Sequence, residues 1–316
     1  MRLHLDTDFA GDPDDACALA MLLGWADLEI TGITTVADPD GRRAAYVRRL
    51  LALVGRDGIP VAVGAAVSLD GAAMGGIPDH ERYWGEPSLD PAAGHKRPEP
   101  ATAALTRSIA AGATVAAIGP LTNLAALERT HAGALRAVSV VAMAGWFEEP
   151  ASPGLPRWGP AADWNTQCDP HAAQIVAASA ELTLVPLSVT ANVCLRRQQL
   201  GRLQAAGPLG ELLARQALAY CADEGKTEIA LAHTGLPDDL LNFHHDPLTA
   251  AVAAGWDGVT QEEMRLRPHR TGPVMSFVPH PDGRRVDVAT DVDSAKFDEV
   301  WISAVERAAA PAYSES

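Results

Sequence analysis

The sequence predicts an α/β fold in which a mostly parallel, Rossmann-like sheet is flanked by helices and has a few antiparallel edge strands. Before residue 190, short apolar or β-branched runs alternate with amphipathic helical patterns. Such alternation is typical of βαβ units, whose right-handed crossovers pair the strands in parallel. Near the other end, Glu263–Arg267 and Arg284–Val288 alternate charged and apolar residues, which predicts antiparallel edge strands.

The individual elements follow from the same patterns. Strands are predicted at residues 2–6, 30–36, 59–63, 114–118, 137–143 and 182–187. Helices are predicted where apolar residues recur at helical spacing, at residues 14–26, 42–54, 101–111, 124–130, 170–178, 246–254 and 294–309. The helix at 42–54 is expected to turn a basic face outward. Residues 190–222 have a helical pattern without strands, so we expect a helical insertion at about 190–245 within a single domain of residues 1–316.

A long segment at residues 64–100 is rich in Gly, Pro and Asp and shows little periodicity. Connections of this length without regular structure are usually functional loops or lids. His80, Tyr83 and Trp84 lie within it, and an aromatic ring on such a loop can stack on a flat ligand, so we expect His80 and Trp84 near the substrate. Simple surface packing of these side chains is the alternative.

The composition limits the classes of partner. A formal net charge of -15 and a pI near 5.0 argue against nucleic acid or an anionic membrane as a partner, since both need basic surface. A small-molecule substrate is easier to accommodate. The four cysteines show no CxxC spacing, which indicates reduced thiols. Because the sequence also shows no charged leader and no apolar run of about 18 residues, we expect a cytoplasmic protein.

The loop after the first strand concentrates negative charge. Five carboxylates fall within ten residues, at Asp6, Asp8, Asp12, Asp14 and Asp15. Like charges at this spacing raise one another's pKa unless a cation is held among them, and carboxylate oxygens favour calcium or magnesium. A cap on the following helix is a simpler explanation, but a cap needs only one carboxylate. The loop therefore predicts a divalent-metal site.

Two known kinds of acidic loop can be compared by spacing. An EF-hand needs a Glu at its twelfth position, and counting from Asp6 reaches Cys17, so that interpretation fails. A haloacid-dehalogenase-like phosphatase would use the first Asp of the DTD sequence at 6–8 as its nucleophile. Its motif continues with Thr or Val where this chain has Ala10. The phosphatase stays an alternative because the acidic pair at 238–239 could complete it.

Five motifs follow one another in a consistent order. They are DTD with DDA in the first loop, ITTV at 33–36, GPLTN at 119–123, DWN at 163–165 and HDPL at 245–248. Over about 250 residues this order resembles the inosine-uridine-type nucleoside hydrolases. The resemblance implies a nucleoside-hydrolase-like fold and a homodimer or homotetramer. It also implies calcium-dependent hydrolysis of the N-glycosidic bond of a ribonucleoside or related riboside, releasing base and ribose.

The resemblance also implies roles for single residues. The calcium ligands map to Asp8, Asp15, the backbone carbonyl of Thr122, and Asp246. Cleavage through an oxocarbenium-like ribosyl cation needs an activated water and help for the departing base. Calcium is a weak Lewis acid, so the water also needs a carboxylate base, which maps to Asp8. His245 is the candidate that protonates or hydrogen-bonds the base, with a purely structural histidine as the alternative. Asp14 would contact the sugar, and Asp6 and Asp12 would shape the loop.

The sugar side departs from the family pattern. Pro39 stands where the family usually has an Asn, Arg157 stands in another Asn position, and Asp163 replaces a Glu, while Asn165 is retained. The planar, permanently charged guanidinium of Arg157 suits a phosphate or carboxylate, which would mean an anionic substrate and an atypical specificity. A solvated loop residue is the alternative. The expected substrate contacts are Asp14, Asp163, Asn165, Arg157, His80 and Trp84.

A second function class stays open at this stage. A relative with an altered sugar pocket could bind metal and ligand without hydrolysis, as a ligand-binding protein. The retained Asp8 and His245 argue against it, because a binder needs neither a base nor an acid. Recognition of the nucleobase would lie in residues 75–86 and 222–244, where the sequence shows no motif that identifies the base.

Overall fold

The computed structural model describes residues 1–77, 80–85, 99–148 and 152–310. Within these residues the strands are β1 (Arg2–Thr7), β2 (Glu29–Thr35), β3 (Val61–Val63), β4 (Thr114–Ala117), β5 (Ser139–Met143), β6 (Glu181–Val185), β7 (Cys194–Arg196), β8 (Leu240–Phe243), β9 (Val259–Thr271), β10 (Val274–Pro279) and β11 (Arg284–Val292). The helices are α1 (Asp14–Leu23), α2 (Arg42–Leu53), α3 (His80–Trp84), α4 (Ala101–Ala110), α5 (Thr122–Thr130), α6 (Trp164–Cys168), α7 (Pro170–Ser179), α8 (Leu187–Thr190), α9 (Leu200–Ala205), α10 (Gly207–Asp223), α11 (Lys226–Ala232), α12 (His245–Ala253) and α13 (Ser294–Ala309).

The central sheet has the order β10-β9-β11-β6-β5-β4-β1-β2-β3 in the described part of the chain. From β3 to β11 every neighbouring pair is parallel, and β9 runs antiparallel to both β11 and β10. The predicted mostly parallel sheet with antiparallel strands at one edge is confirmed. The edge strand is β10, which the sequence did not predict, whereas the segment at 284–288 lies inside the sheet as part of β11.

Helices cover both faces of this sheet. On one face, α1 packs between α12 and α13, where Leu19, Leu248 and Trp301 are fully buried. On the other face, α4, α5 and α7 bury Leu105, Leu124 and a second set of aliphatic side chains. Among the described helices, none has the length and apolarity needed to cross a membrane.

The fold has its switch point at β1. From β1 the chain runs to β2 and β3 on one side, and it then returns to β4 on the other side of β1, where the strand order reverses. Open α/β sheets bind ligands outside the carboxyl ends of their strands at such a point. The acidic loop begins there, directly after Thr7.

The expectation of strand-free structure at 190–222 is wrong. In the predicted insertion, β7 pairs antiparallel with β8 as a separate two-stranded sheet, beside α9, α10 and α11. Three residues are too few to show an alternating pattern in β7, and all four residues of β8 are buried, so neither strand carries the usual signal. In the predicted loop at 64–100, the structure forms the short helix α3, and residues 78–79 and 86–98 lie outside the described residues.

Candidate functional site

A cavity of about 730 Å³ opens at the carboxyl ends of the central strands. Asp8 follows β1, Ile118 follows β4 and Met143 ends β5, and all three line the cavity. Small-molecule sites usually have volumes of about 300–1,000 Å³. The cavity therefore has both the size and the place in the fold of a ligand site.

Three carboxylates in the cavity form an acidic cluster, defined here as Asp14, Asp15 and Asp246. Asp14 and Asp15 begin α1, and Asp246 lies in the first turn of α12. All three are buried, and each offers an oxygen within 4.8 Å of the others. Two oxygens that share a calcium ion at about 2.4 Å can be no more than about 4.8 Å apart. The acidic cluster therefore has the dimensions of a single cation site.

The electrostatics of the site also fit a cation. Burial raises the pKa of Asp14, Asp15 and Asp246, and repulsion by neighbouring carboxylates raises each pKa further. Burial likewise raises the pKa of Asp8, although Arg43 and the Trp164 side chain oppose this. A bound cation would reverse the repulsion, and a donor set made only of oxygen suits a hard ion such as calcium or magnesium.

Hydrogen bonds fix the carboxylates in place. Thr7 Oγ1 donates to Asp15, and the Asp246 backbone N–H donates to Asp14 Oδ2 over 3.2 Å. Asp12 Oδ1 accepts from the Asp14 backbone N–H at 3.1 Å and from the Asn242 side chain at 2.5 Å. These contacts join the first loop to β8 and α12, which lie more than 200 residues later in the chain.

Arg43 holds the acidic loop through hydrogen bonds to backbone carbonyls, which the sequence did not predict. Its side chain is 2 % exposed, so the expected outward basic face of α2 is wrong at this position. Its guanidinium donates to the backbone carbonyl oxygens of Ala37, Asp8, Phe9 and Gly76. A hydrophobic pattern treats every Arg as exposed, and it cannot reveal carbonyl groups that converge from distant loops.

Asp6 lies behind the site and not in it. It is fully buried, and its Oδ1 accepts from Thr34 Oγ1 at 2.5 Å and Asn123 Nδ2 at 2.7 Å. Burial raises its pKa to about 7. Asp6 does not line the cavity. The phosphatase alternative needs an accessible nucleophile at Asp6, so the structure does not support it.

Aromatic side chains form a second part of the cavity wall. The aromatic cluster is defined here as Trp158, Tyr220, Phe243 and His245. The His245 ring stacks on Phe243 with centroids 5.2 Å apart, and Trp158 meets Phe243 edge-on at 5.3 Å. Thr190 Oγ1 lies 2.7 Å from His245 Nδ1. Burial lowers the pKa of His245 to about 4, with Asp12 opposing this and Lys226 adding to it, so the imidazole is neutral at pH 7.

The sequence pattern of the inosine-uridine preferring nucleoside hydrolases matches residues 3–299. The chain belongs to this family. It is 31% identical over 260 residues to the pyrimidine-specific ribonucleoside hydrolase RihA of Citrobacter koseri, covering 77% of each chain. It is 30% identical over 241 residues to an uncharacterized protein of Schizosaccharomyces pombe, covering 72% of this chain and 76% of that one.

Solved structures of nucleoside hydrolases share the fold. A plant nucleoside hydrolase superposes with a TM-score of 0.78 at 23% identity, covering 98% of this chain and 99% of the other. A purine-preferring ribonucleoside hydrolase from Gardnerella vaginalis also has a TM-score of 0.78, at 20% identity and with coverage of 98% and 99%. Membership of this metal-dependent family makes the chain an N-glycosyl hydrolase that acts on ribonucleosides.

Only some of the residues expected to contact the sugar line the cavity of this nucleoside hydrolase. Asn165 and its neighbour Trp164 line it, and Asn165 Nδ2 donates to the carbonyls of Ile118 and Met143, both at 3.0 Å. Asp163 does not line it. One Asp163 oxygen accepts from the Gly145 N–H at 2.6 Å and the other from the Thr166 N–H at 3.2 Å, because Asp163 caps α6.

Four further expected site residues do not line the cavity of this nucleoside hydrolase. The Trp84 ring is buried and stacks on Tyr46 at 4.4 Å, so it belongs to the core, and its neighbour Tyr83 lines the cavity instead. The Arg157 side chain is 64% exposed, with Glu148 4.0 Å away. His80 lies on α3 outside the lining. Thr122 is buried at the start of α5, where its hydroxyl donates to Asp169 at 2.8 Å.

Sequence reasoning missed several cavity residues of this nucleoside hydrolase. Tyr220, Lys226 and Phe243 line the cavity but lie in or beside the segment at 222–244, which showed no motif. One signal was available, because the chain has only three lysines and Lys226 is one of them. The histidine next to the expected one, His244, is buried against Trp301 with ring centroids 4.3 Å apart and does not reach the cavity.

Proposed function

We propose that this nucleoside hydrolase uses calcium to hydrolyse the N-glycosidic bond of a ribonucleoside, releasing the free base and ribose. The observation that carries the proposal is the acidic cluster, whose buried ligand oxygens lie within 4.8 Å of one another in a cavity that also contains Asp8 and His245. Cleavage through a ribosyl cation calls for carboxylates near the ribose, a general base for the attacking water and a surface that receives the departing nucleobase.

We assign the calcium ligands to Asp8, Asp15 and Asp246, which line the cavity, and, on the family resemblance alone, to the backbone carbonyl of Thr122. Asp14 belongs to the same cluster, and one of its oxygens accepts the Asp246 backbone N–H. Its other oxygen is therefore left for the ion or for a ribose hydroxyl. When bound, calcium would orient a water molecule and the ribose hydroxyls and lower the pKa of that water.

The side chains of the site then divide the chemistry. Asp8 accepts the proton of the attacking water. The neighbouring carboxylates stabilise the positive charge that develops on the ribose. The departing base lies against the aromatic cluster, where the neutral His245 offers a hydrogen bond.

The test replaces Asp8, the proposed general base. Asp8→Asn should lower the rate of ribose release from uridine and inosine by about 10²–10⁴-fold at saturating calcium, the usual contribution of a general base. The matched control is Asp57→Asn, an exposed aspartate in a distant loop, which should keep the wild-type rate. Chelation of divalent cations should abolish turnover, and calcium should restore it. If the wild type binds nucleosides with calcium present but releases no ribose, it is a ligand-binding protein and the proposal is wrong.

We also propose an altered preference on the 5′ side of the sugar. Asp163 uses both oxygens on backbone N–H groups, and Pro39 is exposed outside the cavity lining. Fewer groups are then left to bind the 5′ hydroxyl, so 5′-deoxyuridine should be cleaved nearly as well as uridine. The anionic substrate expected from Arg157 gains no support, because that side chain does not line the cavity.

Assembly and compartment belong to the same proposal. The family resemblance supports a homodimer or homotetramer, which light scattering on the purified protein would measure. The four cysteines are unpaired, and three of them are buried, which supports a reducing compartment such as the cytoplasm. Fractionation of the source cells would test that location.

A further inference from the structure

We infer that Lys226 is a specificity-determining residue that donates a hydrogen bond to an oxo oxygen of the departing base. Bases that carry a carbonyl oxygen, such as uracil and hypoxanthine, would then leave more easily than adenine, which has none. The inference rests on the proposed function and names the class of base that the site is built for.

The position of Lys226 carries this inference. It is the first residue of α11 and lines the cavity. Its Nζ lies 4.9 Å from the centroid of the Tyr220 ring and 5.5 Å from that of Phe243, both members of the aromatic cluster. Phe243 in turn stacks on His245. The ammonium group is therefore held against the rings where a flat base would lie.

Lys226 forms no ion pair in the described part of the chain, although Asp12, Asp223 and Glu224 also line the cavity. Among the described residues, no carboxylate oxygen lies within 4.0 Å of its Nζ. The nearby Asp223 instead accepts from the Tyr83 hydroxyl at 2.8 Å and from Arg82. The other cation in the described lining, Arg43, donates to backbone carbonyls under the acidic loop. Lys226 thus supplies the positive charge on the aromatic side of the cavity.

The reaction gives this charge a task. When the C1′–N bond breaks, its electron pair leaves with the base, and the negative charge spreads onto any carbonyl oxygen of the ring. The ribose becomes an oxocarbenium-like cation beside the carboxylates and takes the oxygen of water, whose proton goes to Asp8. The base then takes a proton from solvent, and Asp8 returns its own. A fixed ammonium group beside the departing base stabilises the charge that develops there.

An ammonium group can distinguish bases because it has three donors and no acceptor. It can bond a carbonyl oxygen, whereas an exocyclic amino group presents only further donors to it. Adenine offers only ring nitrogens as acceptors, so a cation placed beside the exocyclic position favours oxo bases over adenine.

The first experiment compares Lys226→Met with Lys296→Met. Lys296 is a matched control, since its Nζ also lies over an aromatic ring, 6.0 Å from the Trp256 centroid, but away from the cavity. Lys226→Met should lower kcat/KM for uridine and inosine by about tenfold or more, the loss expected for one hydrogen bond from a charged donor. It should change adenosine and 4-nitrophenyl riboside less than threefold, since nitrophenolate leaves without such help. Lys296→Met should match the wild type on all four.

The second experiment does not depend on hydrolysis. Calorimetric titration with free uracil, hypoxanthine and adenine should show that Lys226→Met weakens binding of the two oxo bases about tenfold and leaves adenine unchanged. Equal losses for all bases, or no loss for any, would overturn the role of Lys226. If Lys226→Met weakens binding of the oxo bases alone and the wild type cleaves no nucleoside, the proposed function is refuted while the Lys226 contact stands.

Discussion

At the scale of single residues, Arg43 shows how a buried charge can shape a site without contacting a carboxylate side chain. Its donors go to backbone carbonyls of the first loop and of two other loops, so it sets the path of the chain that presents Asp8. Its charge also lowers the pKa of Asp8 and Asp15, against the effect of burial. One side chain therefore supports both the shape and the acidity of the proposed metal site.

Replacing Arg43 should damage both stability and calcium binding. Arg43→Met keeps most of the side-chain volume but leaves several buried carbonyls without donors, which should cost about 3 kcal/mol or more in the free energy of unfolding. Urea denaturation would measure this, and calorimetry should show weaker calcium binding. The control is Arg42→Met, the exposed neighbour in the same helix, which should change either quantity little. Equal effects of the two substitutions would refute the assignment.

The residues that sequence could and could not predict differ in a physical way. Asp14, Asp15 and Asp246 stand in short motifs with fixed spacing, and the structure brings them together. Arg43 and Lys226 act through groups that only the fold brings near, backbone carbonyls in one case and ring faces in the other. The irregular segment predicts Trp84 at the ligand, yet the core contact with Tyr46 determines its position.

At the scale of elements, the turn between β4 and α5 packs against Asp8, the proposed general base. Gly119 packs so closely against Asp8 that an added Cβ would lie 2.7 Å from its backbone nitrogen and 2.9 Å from its Oδ1. Asn123, at the start of α5, donates to Asp6 and to the Thr35 carbonyl at 2.9 Å. The GPLTN motif thus holds the carboxyl ends of β1, β2 and β4 in register.

Gly119→Ala should therefore displace Asp8 while the sheet stays folded. A shift of about 1 Å in a catalytic group can cost about a hundredfold in rate, so we expect a loss of that order in kcat for ribose release. Gly58→Ala is the control, because an added Cβ there meets nothing within 4 Å. Circular dichroism would verify that both variants fold. A Gly119→Ala enzyme with wild-type turnover would show that Asp8 tolerates the shift.

The elements that sequence missed share a lack of pattern. The parallel strands and amphipathic helices were predictable, because a buried face imposes a period on the sequence. By contrast, β7 has three residues and β8 is buried at every position, so neither shows a period. The edge strand β10 ends at Pro279, and a proline is a signal against a strand unless the strand lies at an edge.

At the scale of the whole molecule, the acidic cluster joins distant parts of the chain. Asp14 and Asp15 belong to α1 near the start, and Asp246 belongs to α12, which packs against α1. A cation at this point would hold the first loop and the late helix together. Since the unfolded chain cannot form such a site, calcium binding should stabilise the folded state.

The pH dependence of that stabilisation has a definite sign. Burial raises the pKa of Asp6 from 3.8 to about 7. It also raises the pKa values of Asp14, Asp15 and Asp246 well above those of ordinary carboxyl groups. The calcium-free folded state therefore holds protons that the unfolded chain has lost, and its stability falls as the pH rises through the folded-state pKa values. Below about pH 6.5 the buried histidines oppose this, since burial lowers the pKa of His4 from 6.5 to about 3 and the unfolded chain is the one that binds their protons.

Between pH 6.5 and 8.5 the effect of the raised carboxylate pKa values outweighs that of the histidines, whose unfolded forms lose most of their protons by about pH 7.5, so thermal unfolding in this window tests the carboxylate effect. With a chelator present, the Tm should fall as the pH rises. At a fixed calcium concentration about 100 times the Kd at pH 6.5, the stability added at that pH should be about 2.7 kcal/mol. That stability should raise the Tm by about 4 °C at pH 6.5, and by more at pH 8.5, because fewer protons then compete with calcium for the acidic cluster. A calcium shift that is the same at both pH values would mean that the ion does not bind the carboxylates whose pKa values are raised.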